Sequence, residues 1–133
     1  MIFIICGLIG AGKSTYASGK YKNVTECENG TKEDQVAATI ELYESGADVA
    51  HVTTYPSAEE LVMVANIKPS DVKWIWIDTA PDQCRKNIIE RNRPRDMQDL
   101  GLVIEKNKSL WKRFAESQLP FKHITLFQTD ERW

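Results

Sequence analysis

The sequence predicts an α/β protein, a parallel β-sheet with helices on both faces. Short apolar runs alternate with helical-period segments along the chain, the pattern that successive βαβ crossovers leave. The clearest runs are continuously apolar rather than alternating, as expected of strands covered on both sides. The first run passes directly into a glycine-rich segment and then a helix signal. That places the glycines at the carboxyl end of a strand, where open α/β sheets bind ligands.

The first strand is Ile2-Phe3-Ile4-Ile5-Cys6. It has no basic leader and meets Gly7 rather than a cleavage site, so it reads as a core strand and not a secretion signal. A helix begins at Lys13. Residues 23–27 form a short, weaker strand, and Asn29-Gly30 a turn. Thr31 caps a helix in which Val36, Ala37, Ile40 and Tyr43 recur at helical spacing until Gly46. Residues 47–55, rich in branched side chains, form the next strand, which Pro56 ends. Ser57 and Glu60 make a capping box for a helix reaching Ala65.

Residues 72–78, containing Trp74-Ile75-Trp76-Ile77, are a further strand. Pro81 suits the first turn of a helix that continues to Asn92. A last helix spans residues 98–117, with Leu100, Val103, Ile104, Leu110, Trp111 and Phe114 along one side. Pro120 separates it from a final strand at 123–127.

A chain of 133 residues suits a single domain, 1–133. With 42% hydrophobic and 27% charged residues it has the balance of a water-soluble globular protein. The net charge of −2 and a pI near 5.7 give no global positive field, which disfavours a long nucleic acid or an anionic membrane as partner. No apolar stretch approaches the roughly 20 residues that span a bilayer, so a cytoplasmic location is expected. Cys6, Cys27 and Cys84 lie far apart with no Cys-x-x-Cys pair, and only His51 and His123 could assist them at a metal, so they read as buried, reduced thiols.

The segment Gly7-Leu8-Ile9-Gly10-Ala11-Gly12-Lys13-Ser14 carries the chemistry. Glycines allow successive backbone N–H groups to turn inward around phosphate oxygens, in conformations a Cβ would obstruct. Lys13 can bridge the β- and γ-phosphates, Ser14 can place its hydroxyl on Mg²⁺, and the helix directs its positive end at the anion. Gly7, Gly10, Ala11, Gly12, Lys13, Ser14 and Thr15 are the expected ATP-binding residues, with Ser14 on the metal. No Asn-Lys-x-Asp motif that would read guanine is present.

Arg85, Lys86, Arg91, Arg93 and Arg95 gather on and after the helix beginning at Pro81. Arg85 and Lys86 read as a solvated face. Arg91, Arg93 and Arg95 fall where a short lid, residues 91–97, can close over phosphate and neutralise the migrating group. Arg91 and Arg95 are the main candidates.

Two stretches, IFIICGLIGAGKST at 2–15 and WIWIDTAPDQCRKNIIERNRPR at 74–95, resemble the small P-loop kinases of the AAA_33 type. These include polynucleotide-kinase-like, zeta-toxin-like, gluconate-kinase-like and nucleotide-kinase-like enzymes. The resemblance implies a three-layer P-loop NTPase fold, a five-stranded sheet of order 2-3-1-4-5, and Arg91 and Arg95 as lid arginines. It also implies an acidic residue after the second strand to orient or deprotonate the acceptor, for which Glu26 and Glu28 are available. Asp78 ends an apolar run as a metal-side acid does, but the resemblance places it nearer the base of the nucleotide.

The expected activity is transfer of the γ-phosphoryl of Mg·ATP to a small metabolite, nucleoside or nucleotide, with Lys13, Arg91, Arg95 and Glu26 as catalytic residues. Two alternatives are an ATP-dependent switch or ATPase without an acceptor, and a polynucleotide 5′-hydroxyl kinase, which the acidic pI disfavours. His51 reads as a packed strand residue, and Trp74 and Trp76 as core. Tyr16, Tyr21 and Tyr55 are placed where an aromatic ring can stack on an acceptor base.

Overall fold

The computed structural model describes residues 1–27 and 30–127, the side chain of Arg95 excepted. The strands are β1 (Ile2–Cys6), β2 (Val24–Thr25), β3 (Val49–Val52), β4 (Val72–Ile77) and β5 (Lys122–Ile124). The helices are α1 (Lys13–Lys20), α2 (Lys32–Glu44), α3 (Ala58–Ala65), α4 (Pro81–Arg91), α5 (Pro94–Gln98) and α6 (Leu100–Ala115). All strand pairs are parallel, and the order is β2-β3-β1-β4-β5, as the resemblance implied.

Residues that pair across parallel strands point to the same side, so side-chain contacts assign the helices to faces. Phe3 of β1 meets Tyr21, just after α1, with ring centroids 4.7 Å apart. Ile4 is in register with His51 and Trp74, on the opposite side of the sheet. There His51 bonds Thr39 of α2 and Glu60 of α3, and Trp76 stacks on Phe114 of α6 at 3.9 Å. Helices therefore cover both faces, α1 on one and α2, α3 and α6 on the other.

The core runs along the middle strands, where Ile2, Ile4, Ile5, Cys6, Trp76 and Ile77 are fully buried. Trp76 alone, sealed by Phe114 and Phe121, carries a packing contribution of about 3–5 kcal/mol. Both expected caps form. Thr31 accepts from the Asp34 amide at 3.1 Å, and Ser57 from the Glu60 amide at 3.3 Å.

Boundaries differ from the sequence expectation where strands leave the sheet. β2 is an edge strand paired only through Val24 and Thr25. β3 ends at Val52, and residues 53–55 beyond it line the cleft, with Thr53 and Thr54 still bonded to the backbone of Ile5 and Gly7. Cys27, expected to be buried, is exposed on the segment after β2. β5 starts one residue early and stops at Ile124. The predicted helix 98–117 is α6, which starts two residues later because Asp99 has a non-helical backbone (φ −129°, ψ 49°). The expected lid 91–97 is largely helical: Asn92 closes α4 in the left-handed region (φ 49°), and Pro94 starts α5 at its first turn, where a missing N–H costs nothing. No helix among the described residues is long and apolar enough to cross a membrane.

Candidate active site

The segment between β1 and α1 is gripped from outside by side chains of distant elements. Asn107 of α6 accepts from the Ile9 amide at 2.8 Å and donates to the Ile9 carbonyl at 2.9 Å. Asn87 of α4 donates to the Gly10 carbonyl at 2.9 Å, and Thr79 to the Ala11 carbonyl at 2.8 Å. Gly10 and Gly12 adopt φ of +85° and +97°, a region that side chains with a Cβ avoid. A Cβ on Gly10 would also come within 2.8 Å of the Cys84 carbonyl oxygen.

Among the described residues, the amides of Gly10, Gly12, Lys13 and Ser14 make no hydrogen bond. Clustered, unpaired amides at a helix N-terminus form an anion cradle, so these residues fit a bound phosphate chain.

Lys13 extends back over this loop and donates to the carbonyls of Gly7 at 3.0 Å and Leu8 at 2.7 Å. Burial pulls its pKa down to about 8, and the charge of Arg91 adds to the depression. Phosphate oxygens beside the ammonium would reverse that shift. Ser14 donates its hydroxyl to the Glu26 carboxylate, so α1 and the segment after β2 meet at this pair.

A cleft of about 440 Å³ opens on the loop, in the range of small-ligand sites. It brings together Gly10, Lys13, Ser14 and Glu26 with Arg91 and Arg93. Gly7, Ala11, Gly12 and Thr15 are not in its lining: Ala11 is buried, and Thr15 is exposed on α1. Glu28 and the Arg95 side chain lie outside the described residues. Asp78 turns away from the cleft, with Oδ2 3.5 Å from Nδ1 of His123. Tyr55 lines the cleft, bonded to Ser117 at 2.8 Å beneath the Arg113 guanidinium. Tyr16 and Tyr21 belong to a separate hollow under α1. Among the described residues no group of three or more His, Cys, Asp or Glu is placed to hold a metal.

Lys32, Glu60, Asp96 and Lys106 also line the cleft, and the motif reading missed all four. Lys32 and Glu60 look like ordinary helix-end residues in sequence, and Glu60 had been explained by its capping box. In the structure Glu60 is completely buried beside His51. Its Oε1 accepts from the Ser57 amide at 2.9 Å and Thr53 at 3.1 Å; its Oε2 accepts from Lys32 at 3.1 Å and from His51. Burial pushes the carboxyl pKa up, but the bonds from His51 and Ser57 and the charge of Lys32 outweigh it and hold the group at about 2.

With both oxygens doubly engaged, Glu60 has no lone pair to spare for a substrate proton. Lys32 is similarly committed, donating to Gln35, Thr53 and Glu60. The network joins α2, β3 and α3 as a rigid wall. A histidine on a fully buried strand, with an acid one helix away, was the available signal for it.

No protein-family model matches the chain, and no curated protein matches it in sequence. Solved structures do share its fold. A deoxyadenosine kinase from M. mycoides with bound dATP aligns over 94% of this chain and 91% of that chain, at a TM-score of 0.54 and 13% identity. A structure of deoxyadenosine kinase from M. mycoides with the products dCMP and a flexible dCDP aligns over 93% and 90%, at a TM-score of 0.51 and 16% identity. At such identities the likeness is one of fold alone.

Proposed function

We propose that the protein is a phosphotransferase that moves the γ-phosphoryl of Mg·ATP to a hydroxyl of a nucleoside or a similar small acceptor. The observation that carries this reading is the opening of the amide cradle onto a cleft shared by Lys13, Arg91, Arg93 and the Ser14–Glu26 pair. Phosphoryl transfer requires little covalent chemistry from the protein and much positioning and charge, and these groups supply both. Fold likeness to nucleoside kinases supports the acceptor class. The finer kinship with the AAA_33 type rests on the stretches at 2–15 and 74–95.

The loop amides and Lys13 bind the β- and γ-phosphate oxygens. Ser14 would hold Mg²⁺, whose charge offsets that of the phosphates. Glu26, exposed beside Ser14, is the carboxylate able to accept the acceptor's hydroxyl proton, since Glu60 is saturated. Arg91, with Arg95 from the adjoining segment, neutralises the group in flight.

The decisive experiment incubates the protein with γ-labelled ATP and a panel of nucleosides, deoxynucleosides, sugars and 5′-hydroxyl oligonucleotides. Label is expected in a nucleoside monophosphate. Label found only as free phosphate would favour the ATPase or switch reading, and label on oligonucleotides the polynucleotide kinase.

A further inference from the structure

We propose that Asn107 is a positioning residue that holds the phosphate loop in its anion-accepting conformation; the proposal rests on the loop being the nucleotide site. Asn107 lies in the interior of α6, 98 residues from its partner, and is 3% exposed. Asparagine is a poor residue for a helix interior because its amide competes for backbone hydrogen bonds. Here both ends of that amide are spent on one residue outside the helix, binding the two peptide units that flank Ile9. The carboxamide oxygen takes the Ile9 N–H and the carboxamide nitrogen gives to the Ile9 C=O. No aliphatic side chain can make either bond, and a hydroxyl has a single oxygen to serve as donor and acceptor where the carboxamide supplies two separate atoms.

The consequence is directional. A loop that accepts phosphate must present N–H groups to the cleft and turn its carbonyl oxygens elsewhere, since a carbonyl facing phosphate is repulsive. Three consecutive carbonyls, those of Ile9, Gly10 and Ala11, are turned onto Asn107, Asn87 and Thr79. Asn107 is the two-bonded member of the set and fixes Ile9 on both sides, at the point where the chain enters the left-handed Gly10. Without it the peptide linking Ile9 to Gly10 can rotate, and a flipped peptide aims oxygen at the anion. Its helix also carries Lys106 to the cleft, so the same element that orients the loop brings a cation beside it.

Substitution of Asn107 by leucine, close in size, and by serine, small and polar, removes the paired bonds in opposite chemical directions. Binding of Mg·ATP and of tripolyphosphate is measured by calorimetry on the folded variants, with melting temperature followed by circular dichroism. Tripolyphosphate reads the loop without the base or ribose. The expected result is at least tenfold weaker binding of both ligands by whichever variant folds.

A purely structural residue would lower the melting temperature and leave both affinities of the folded protein within twofold, which overturns the proposal while the nucleotide-site reading stands on the wild type. If neither variant folds, Asn107→Ala, which deletes the amide without adding bulk and favours the helix, decides by the same tenfold and twofold criteria. Failure of the wild-type protein itself to bind either ligand would remove the nucleotide-site reading and this proposal with it.

Discussion

Gly10→Ala is expected to destabilise the protein by about 2–5 kcal/mol and to weaken Mg·ATP binding with it. Two effects add. The first is conformational: Gly10 sits at φ +85°, and a left-handed backbone costs a residue with a Cβ about 1–2 kcal/mol. The second is steric. The new methyl would lie 2.8 Å from the Cys84 carbonyl oxygen and 2.8 Å from Cγ1 of Ile88, inside any normal contact. Ile88 is fully buried and the Cys84 carbonyl belongs to helix backbone, so neither yields freely, and overpacking of this kind costs about 1–3 kcal/mol.

The assay is urea unfolding with a calorimetric titration of Mg·ATP. Gly101→Ala serves as the internal control, because a Cβ there meets nothing within 4 Å and the residue is helical. It should stabilise by about 0.5 kcal/mol. A Gly10→Ala protein within about 0.5 kcal/mol of wild type would refute the reasoning, since it would show that the loop relaxes without penalty.

Lys13 makes nucleotide binding pH-dependent. Its pKa is depressed to about 8 in the free protein, and bound phosphates favour the ammonium, so binding takes up a proton above that value. Affinity should be flat below pH 8 and fall as pH rises through it, approaching tenfold per unit; titrations at pH 7 to 9.5 that show no fall would contradict this. Arg91→Ala should lower turnover by about 10²-fold. It should also shift the inflection to higher pH, since the Arg91 charge helps depress Lys13. Glu60 contributes about 3 kcal/mol of stability through its carboxyl pKa of about 2 against 4.5 unfolded, fully present above pH 4.5 and lost as pH falls toward 2. Unfolding midpoints of Glu60→Gln and wild type measured from pH 7 to 3 should therefore converge at the acid end, and a constant difference would exclude the mechanism.

The alternation of strands and helices and the glycine-rich loop were readable because they depend on local signals that agree with one another, whereas the sheet order came from the family resemblance alone. Ile2 to Cys6 is apolar at every position, Gly10 and Gly12 occupy positions needing positive φ, and Lys13 opens the helix. What escaped notice depends on contacts far apart in sequence. Nothing near Asn107 announces that it will meet Ile9, and Glu60 carries a sufficient local explanation as a capping residue. The short helix Pro94–Gln98 was equally hidden, because five residues are too short a window for a helical period to show. Pro94, read as part of a loop, marked a helix start.

Charge at the site follows from local arrangement and not from the net charge of −2. The cleft gathers Lys13, Lys32, Arg91, Arg93 and Lys106 against Glu26, Glu60 and Asp96. Glu60 is already bound by Lys32 and His51, so its charge is largely spent within the wall. Glu26 differs from Glu60 in being exposed, and its partner is a neutral hydroxyl rather than a lysine. The exposed carboxylate of Glu26 leaves acceptor positions open to a ligand, whereas the two oxygens of Glu60 already take four donors. That contrast is why the acid flanked by the more conspicuous ionic network serves the wall, and the plainer one beside Ser14 is the better candidate to receive a proton.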